Sequence, residues 1–314
     1  MGGTKVLASI INKEEGIVAR LKVATNPELQ GDEYVDTLAS SINKIMEDND
    51  MKDKHIEAVC LGVPGSVNPY TGIIDLAPNL GLKNFNIKEK LQNKIPLPVL
   101  LENDVNLGAL GIKYFGVGKR ATDMLAVFIG TGIGGGLILN GKIYRGPGFT
   151  AGEIGHILVD KDGPVCGCGN RGCFETIASR TAIVNKIIED IKGGKQSKLA
   201  AKIKSGQRIK SKTLANAMEI GDKVVTKRIF EACDVIGGVL ASQVNFMNFN
   251  LIVLGGGMIE AMDSFMIPKI RDAFNNHVLK ASAKDLKIIP SKLGDDAAIW
   301  GGIALAEEFL GETF

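Results

Sequence analysis

The chain has 314 residues, 45% hydrophobic and 23% charged, which is enough for two domains with sizeable cores. A net charge of +2 gives nucleic-acid binding no electrostatic support. No apolar run is long enough to cross a bilayer, and no charged region leads into a signal core, so the sequence reads as cytoplasmic. Three of the five cysteines cluster, which in a reducing compartment favours a metal over a disulfide.

Val6 to Ile11 and Ile17 to Ala24, joined by a Glu15-Gly16 turn, read as a hairpin. Leu38, Ile42, Ile45 and Met46 recur at helical spacing, which predicts an amphipathic helix from Asp32 to Asp48. Ile56 to Val63 reads as a strand, Asn68 to Gly72 as a turn and Pro78 to Asn86 as a loop polar enough to line a site. Ile87 to Gln92 reads as a short helix, Pro98 to Leu101 as a buried strand and Leu107 to Phe115 as a helix start. Met124 to Ile129 and Gly136 to Asn140 are expected strands on either side of a glycine run, and Asn140-Gly141 signals a hairpin. Gly146 to Gly172 reads as irregular, and helical patterns resume at Ala178 and dominate to about Asn248. Leu251 to Leu254 and Leu286 to Pro290 are expected strands, Ser264 to Asn275 and Ala297 to Phe309 helices. Strand–loop–helix units separated by glycine turns indicate α/β layers, with a boundary near Gly116.

Between the strand at Leu101 and the helix lies Glu102-Asn103-Asp104-Val105-Asn106. A carboxylate at such a junction sits where α/β sheets bind ligands, and Asp104 there can take a proton from a substrate hydroxyl. The plainer reading is a helix N-cap. Three glycine turns, Gly2-Gly3-Thr4-Lys5, Gly130-Thr131-Gly132 with the glycines after it, and Gly255-Gly256-Gly257, end or open predicted strands. Glycine lets backbone N–H groups approach a polyphosphate; tight hairpins would use the same residues. Neither of the first two is a Walker loop or a dinucleotide fingerprint, since a strand follows each.

His156, Cys166, Cys168 and Cys173 supply a complete tetrahedral set for one structural Zn²⁺. Cys60 and Cys233 lie in apolar runs and read as core residues. Glu153 and Glu175 flank the zinc loop, where carboxylates held rigid could accept hydrogen bonds from a polyol or be surface charge.

The ordered set Gly-Gly-Thr-Lys, Glu-Asn-Asp, Gly-Thr-Gly-Ile-Gly-Gly-Gly, Glu-x-Gly-His, Cys-x-Cys-Gly-x-x-Gly-Cys-x-Glu and Leu-Gly-Gly-Gly resembles the ROK family of sugar kinases and sugar-responsive repressors, nearest its bacterial ATP-dependent glucokinases. The resemblance runs from Gly2 to about Leu310. It implies an α/β, two-domain actin-like ATPase (ribonuclease H-like) fold with a structural zinc loop and the site in a cleft. The smaller domain would span 1–115, joined by the helix at about 297–314. The larger would span 116–296, with the zinc loop and a dimer surface. The resemblance assigns Asp104 as the base acting on the sugar 6-hydroxyl, with Asn79, Asn103, Glu153, His156 and Glu175 as sugar contacts. Gly3, Thr4, Lys5, Thr131 and Gly132 would hold ATP phosphates, Gly256 and Gly257 the adenosine, with Mg²⁺ bridging the phosphates. The expected reaction is phosphorylation of glucose to glucose 6-phosphate. A homodimer or dimer of dimers is the expected assembly, with neither nucleic acid nor membrane as a partner. Kinases for N-acetylmannosamine or fructose fit the same residues. The family's repressors carry a winged-helix segment before Gly-Gly-Thr, for which a motif starting at residue 2 leaves no room.

One departure stands out. Relatives place a strand ending in Asp-x-Gly-Gly-Thr before the first turn, and its Asp is associated with Mg²⁺. Here Met1 precedes Gly2. That strand is expected centrally, between those from Val6 and Ile56, so the sequence reads either as an N-terminally shortened version of a longer natural protein or as a tolerated truncation whose gap a neighbouring segment or partner chain fills.

Overall fold

A computed structural model describes residues 5–24, 29 and 31–311. The chain divides into two units. The first takes the residues up to Lys119, the segment Arg145–Ala151 and those from Asp296; the second takes Arg120–Tyr144 and Gly152–Asp295. Among the described residues, no helix is long and apolar enough to cross a membrane.

In the first unit the run from Val6 forms β1 (Lys5–Asn12), which pairs antiparallel with β2 (Gly16–Ala24) after a turn at Gly16, φ 81°. The amphipathic helix α1 (Asp32–Glu47) buries Val35, Leu38, Ile45 and Met46. β3 (Val59–Val63) leads into an antiparallel meander of β4 (Ser66–Asn68), β5 (Ile73–Ala77) and β6 (Leu82–Asn86). Helix α2 (Ile87–Gln92), β7 (Val99–Asn103) and α3 (Asp104–Phe115) follow. β7 lies parallel to β3, from Val59↔Val99 to Val63↔Asn103.

Pro78 to Asn86 is therefore not all loop: a 3-10 turn at Pro78–Leu80 precedes β6. β6 buries only Leu82 and leaves Lys83 and Asn84 exposed, so it carries no alternating apolar signal; its pairing to β5 makes it a strand. Among the described residues, no hydrogen-bonded ladder joins β1–β2 to β3–β7.

The second unit is built on one five-stranded sheet, ordered β10-β9-β8-β11-β12. β8 (Met124–Ile129) pairs antiparallel with β9 (Ile133–Leu139), which turns at Asn140-Gly141 into β10 (Lys142–Ile143). β9 starts three residues before the expected Gly136. Ile129 pairs directly with Ile133, so the turn shrinks to Gly130–Gly132, and the next three glycines extend as strand despite their poor β-propensity. Helix α4 (Phe174–Ala178) begins four residues before the expected Ala178, and α5 (Arg180–Lys192), α6 (Ala200–Lys204), α7 (Ser211–Glu219) and α8 (Lys223–Met247) fill the stretch read as helical. β11 (Leu251–Gly255) is buried at every position, as a central parallel strand should be.

Helix α9 (Gly257–Asn275) begins seven residues before the expected Ser264. Met258, Ile259 and Met262 are buried in its first turns, and a kink at Met262 (φ −146°) breaks the helical period there. β12 (Lys287–Pro290) extends the parallel set β8, β11, β12.

The chain then closes the first unit with α10 (Ala297–Leu310), packed along α3. Glycines set the spacing. A Cβ on Gly111 would lie 1.9 Å from the Ala297 carbonyl oxygen, and one on Gly301 1.9 Å from the Leu107 carbonyl oxygen. Both obstacles are backbone, so a side chain could enter only by parting the helices. Gly301→Ala is expected to lower unfolding free energy by at least about 2 kcal/mol, within or above the usual range for overpacking. Urea denaturation checks this; a loss under about 0.5 kcal/mol would show that the helices separate freely.

Candidate functional site

In the first unit the candidate base lies where β7 becomes α3. Asp104 does not cap this helix: Asn103 does. The Asn103 Oδ1 accepts the N–H groups of Val105 and Asn106 at 2.9 and 3.0 Å, and its Nδ2 donates to the Gly65 carbonyl at 3.0 Å. Asp104 occupies the first helical position, half-buried, with Oδ1 2.9 Å from the Val105 N–H. Burial raises its carboxyl pKa above the usual value, against the Val105 N–H, which lowers it. The helix dipole also favours the ionised form at this end. The result is an ionisable acceptor at the strand end, one oxygen of which takes the Val105 N–H.

Asn103 is constrained by its capping. Both Oδ1 lone pairs and one Nδ2 hydrogen are used, leaving a single N–H for a ligand. Gly65, which it holds, has φ 105°, and a Cβ there would lie 2.3 Å from the Leu76 carbonyl oxygen. That close approach seats the Gly65 turn against Leu76 and Ala77, just before Asn79, which is exposed on its 3-10 turn. Lys5 opens β1 with its side chain exposed; Gly3 and Thr4 lie outside the described residues.

In the second unit β8 and β11 run parallel, with Phe128 opposite Gly255. Their two glycine turns therefore emerge side by side at the carboxyl ends of the strands, where α/β sheets take ligands. A Cβ on Gly256, φ 84°, would lie 2.7 Å from the Ile129 carbonyl oxygen, so only glycine lets the turns touch. Glu175, on α4, puts Oε2 2.8 Å from the Ile133 N–H, and a Cβ on Gly132 would lie 2.0 Å from the same oxygen. A Cβ on Gly155 would lie 2.2 Å from the Ile133 carbonyl oxygen and 3.6 Å from the Glu175 Cβ, so Gly132, Gly155 and Glu175 are brought together.

Arg180 also reaches this turn, although its position in the sequence carries no mark of it. Ser179 caps α5 by accepting the Ala182 N–H. Arg180 then donates its backbone N–H to the Gly130 carbonyl at 2.9 Å and Nη2 to Thr131 Oγ1 at 2.5 Å. Burial, and then the charge of Arg208, lower its pKa. Among the described residues, neither arginine pairs with a carboxylate. A cation at a glycine turn, with no carboxylate beside it among the described residues, suits an anionic ligand. Only the fold brings this Ser-Arg helix start, after the cysteine loop, to the turn.

His156, Cys166, Cys168 and Cys173 converge, with all four donor atoms within 4.8 Å of one another. The His156 Nδ1 lies 3.5 Å from Cys166 Sγ, and Cys168 and Cys173 are 3.7 Å apart at sulfur. A tetrahedral Zn²⁺ with ordinary bond lengths requires edges of about 3.5 Å (N–S) and about 3.8 Å (S–S), which these two separations match, so the cluster is compatible with such an ion. Nδ1 faces the sulfurs while Nε2 lies 3.8 Å from Glu153 Oε2, so one ring can serve a metal and still present an N–H beside the carboxylate. Cys233 is buried and Cys60 half-buried; burial pushes both thiols up to about 12. Cys60 donates to the Gly302 carbonyl.

A family model described as "ROK family" matches residues 1–309. A glucokinase of Halalkalibacterium halodurans is 32% identical over 303 residues, covering 96% of this chain and 92% of its own. The crystal structure of a ROK family glucokinase from Streptomyces griseus in complex with glucose and AMPPNP is 29% identical with a TM-score of 0.85, covering 98% of this chain and 97% of that one. A ROK family transcriptional regulator, a homologue of the E. coli MLC protein, is 26% identical with a TM-score of 0.87, covering 98% of this chain and 76% of that one.

Proposed function

The chain belongs to the ROK family, and on that premise we propose that it is an ATP-dependent sugar kinase that phosphorylates glucose at the 6-hydroxyl. The observation that carries the reading is Asp104: a carboxylate at a strand end, excused from capping by Asn103 and raised in pKa by burial. The relatives support it, one being a glucokinase and another a glucokinase in complex with glucose and AMPPNP.

In the proposed reaction the sugar oxygen attacks the γ-phosphorus, its proton passes to Asp104, and ADP leaves. Such a transfer needs positioning and charge neutralisation more than covalent help. Asn103 would donate its one spare N–H to the sugar; Asn79, Glu153, His156 and Glu175 are the other proposed contacts. Glu175 already accepts from Ile133, which fixes its orientation toward a hydroxyl. The Thr131–Gly132 turn, with Arg180, would face the phosphates together with Gly3, Thr4 and Lys5, and the Gly256–Gly257 turn the adenosine. Mg²⁺, when bound, would neutralise phosphate charge. Zn²⁺ on His156, Cys166, Cys168 and Cys173 would be structural, because protein fills all four positions. A homodimer or dimer of dimers is the proposed assembly.

A coupled assay with ATP and Mg²⁺ across a hexose panel tests this. Glucose is expected to give the largest kcat/KM. A large preference for N-acetylmannosamine or fructose would replace the substrate and keep the chemistry. The likeness to a regulator favours a second reading, a sugar-responsive regulator. Sugar binding without turnover of any hexose would select it.

A further inference from the structure

Arg145 opens the short stretch that the first unit takes from between two stretches of the second. Its side chain is buried among carboxylates. Nε donates to Glu102 Oε2 at 2.6 Å, and Nη1 and Nη2 donate in parallel to the two oxygens of Glu308 on α10 at 2.8 and 2.9 Å. Glu102 is 1% exposed and stands on β7, two residues before Asp104. Its other oxygen accepts from the Asn103 N–H at 2.9 Å and from Asn106 Nδ2 at 3.0 Å. Asn106, also buried, returns its own N–H to Asn103 Oδ1.

The hydrogen bonds therefore run unbroken from α10 through Arg145 and Glu102 to Asn103 and Asn106, one on either side of Asp104. Neither Arg145 nor Glu102 is used in the proposed chemistry. A buried carboxylate bound on both oxygens cannot turn without leaving a charge or an N–H unpaired. The planar guanidinium fixes two carboxylates at set angles, which a lysine ammonium cannot do.

We infer that Arg145 is a positioning residue that fixes the Asp104 carboxylate by clamping Glu102 against the end of β7 and the first turn of α3. This rests on the reading of Asp104 as the base. Misplacement by about 1 Å from a remote change can cost on the order of a hundredfold in rate. Arg145→Met is accordingly expected to lower kcat by about a hundredfold. Sugar Kd and binding stoichiometry, measured by calorimetry, should stay within about twofold of wild type, because Asn103 keeps its cap and its spare N–H. Arg145→Lys retains the charge but not the fork and is expected to lose about tenfold in kcat. It also serves if the Met variant does not fold. Arg20→Met removes the exposed Arg20–Asp296 pair of the same unit and should leave kcat unchanged.

A merely structural role would lower the sugar-binding stoichiometry and leave kcat per binding-competent molecule intact. That outcome, in either Arg145 variant, overturns the inference. An inactive wild type overturns the kinase reading and this inference together; an active wild type with unaltered Arg145 variants overturns only the inference.

Discussion

Asp104→Asn is expected to lower kcat by about a hundred- to ten-thousand-fold, the range for loss of general-base catalysis, with sugar affinity close to wild type. The amide keeps the shape and can accept the Val105 N–H that Asp104 accepts at 2.9 Å, so the helix start should survive. The cap itself is untouched, because Asn103 makes it. The pH dependence gives an independent check with a definite sign. The base acts only when ionised, so kcat/KM must rise with pH through its pKa. Burial raises that pKa, which moves the acid limb of the wild-type profile upward from where an ordinary aspartate would put it. Steady-state kinetics and a pH–rate profile measure both. A variant that keeps most of its kcat would reduce Asp104 to a residue of the helix's first turn.

Cys168→Ser is expected to abolish stoichiometric zinc and to weaken sugar binding by about ten- to a hundredfold, the range over which disturbed surroundings of a metal ligand change activity. The link is His156. Its Nδ1 faces the cysteine sulfurs, 3.5 Å from Cys166, and its Nε2 faces Glu153 at 3.8 Å. Without the ion the ring loses the anchor that aims Nε2, and Glu153 loses its neighbour. Exposed Cys168 is the best ligand to change, because Cys166 and Cys173 are buried and their loss would also leave a packing defect. Elemental analysis of protein purified without chelator should give one zinc per chain for wild type. Wild type without metal, or a variant without metal that binds sugar at full strength, would separate the cluster from the sugar site.

How much of this was legible in the sequence depended on the range of the interactions. Leu38, Ile42, Ile45 and Met46 spelled α1 because helical burial repeats locally. The four zinc-ligand candidates were legible because they lie close together along the chain. β6 was not, since only Leu82 is buried and its strand character comes from β5. The start of α9 was hidden by the kink at Met262. The Asp104 junction was found, but its alternative as a cap could be decided only by seeing Asn103 take both N–H groups. Arg145 left no trace, for its partners Glu102 and Glu308 are 43 and 163 residues away. Arg180 likewise meets Thr131 across 49 residues.

The division of the chain also has a consequence for the order in which the protein is made. The unit carrying Asp104 is assembled from stretches on both sides of the other unit. Its helix α3, apolar enough to bury every residue from Asn106 to Ile112, ends at Phe115, whereas the helix that covers it starts only at Ala297. On the ribosome α3 must therefore wait, partly uncovered, while the whole intervening unit is synthesised, at roughly 5–20 residues per second. An apolar surface left open for that long invites misassembly or chaperone binding. The unit with the metal-ligand set lies between those stretches and can close first. The candidate base is thus ordered late in biosynthesis, after α10 has emerged and Glu308 has reached Arg145.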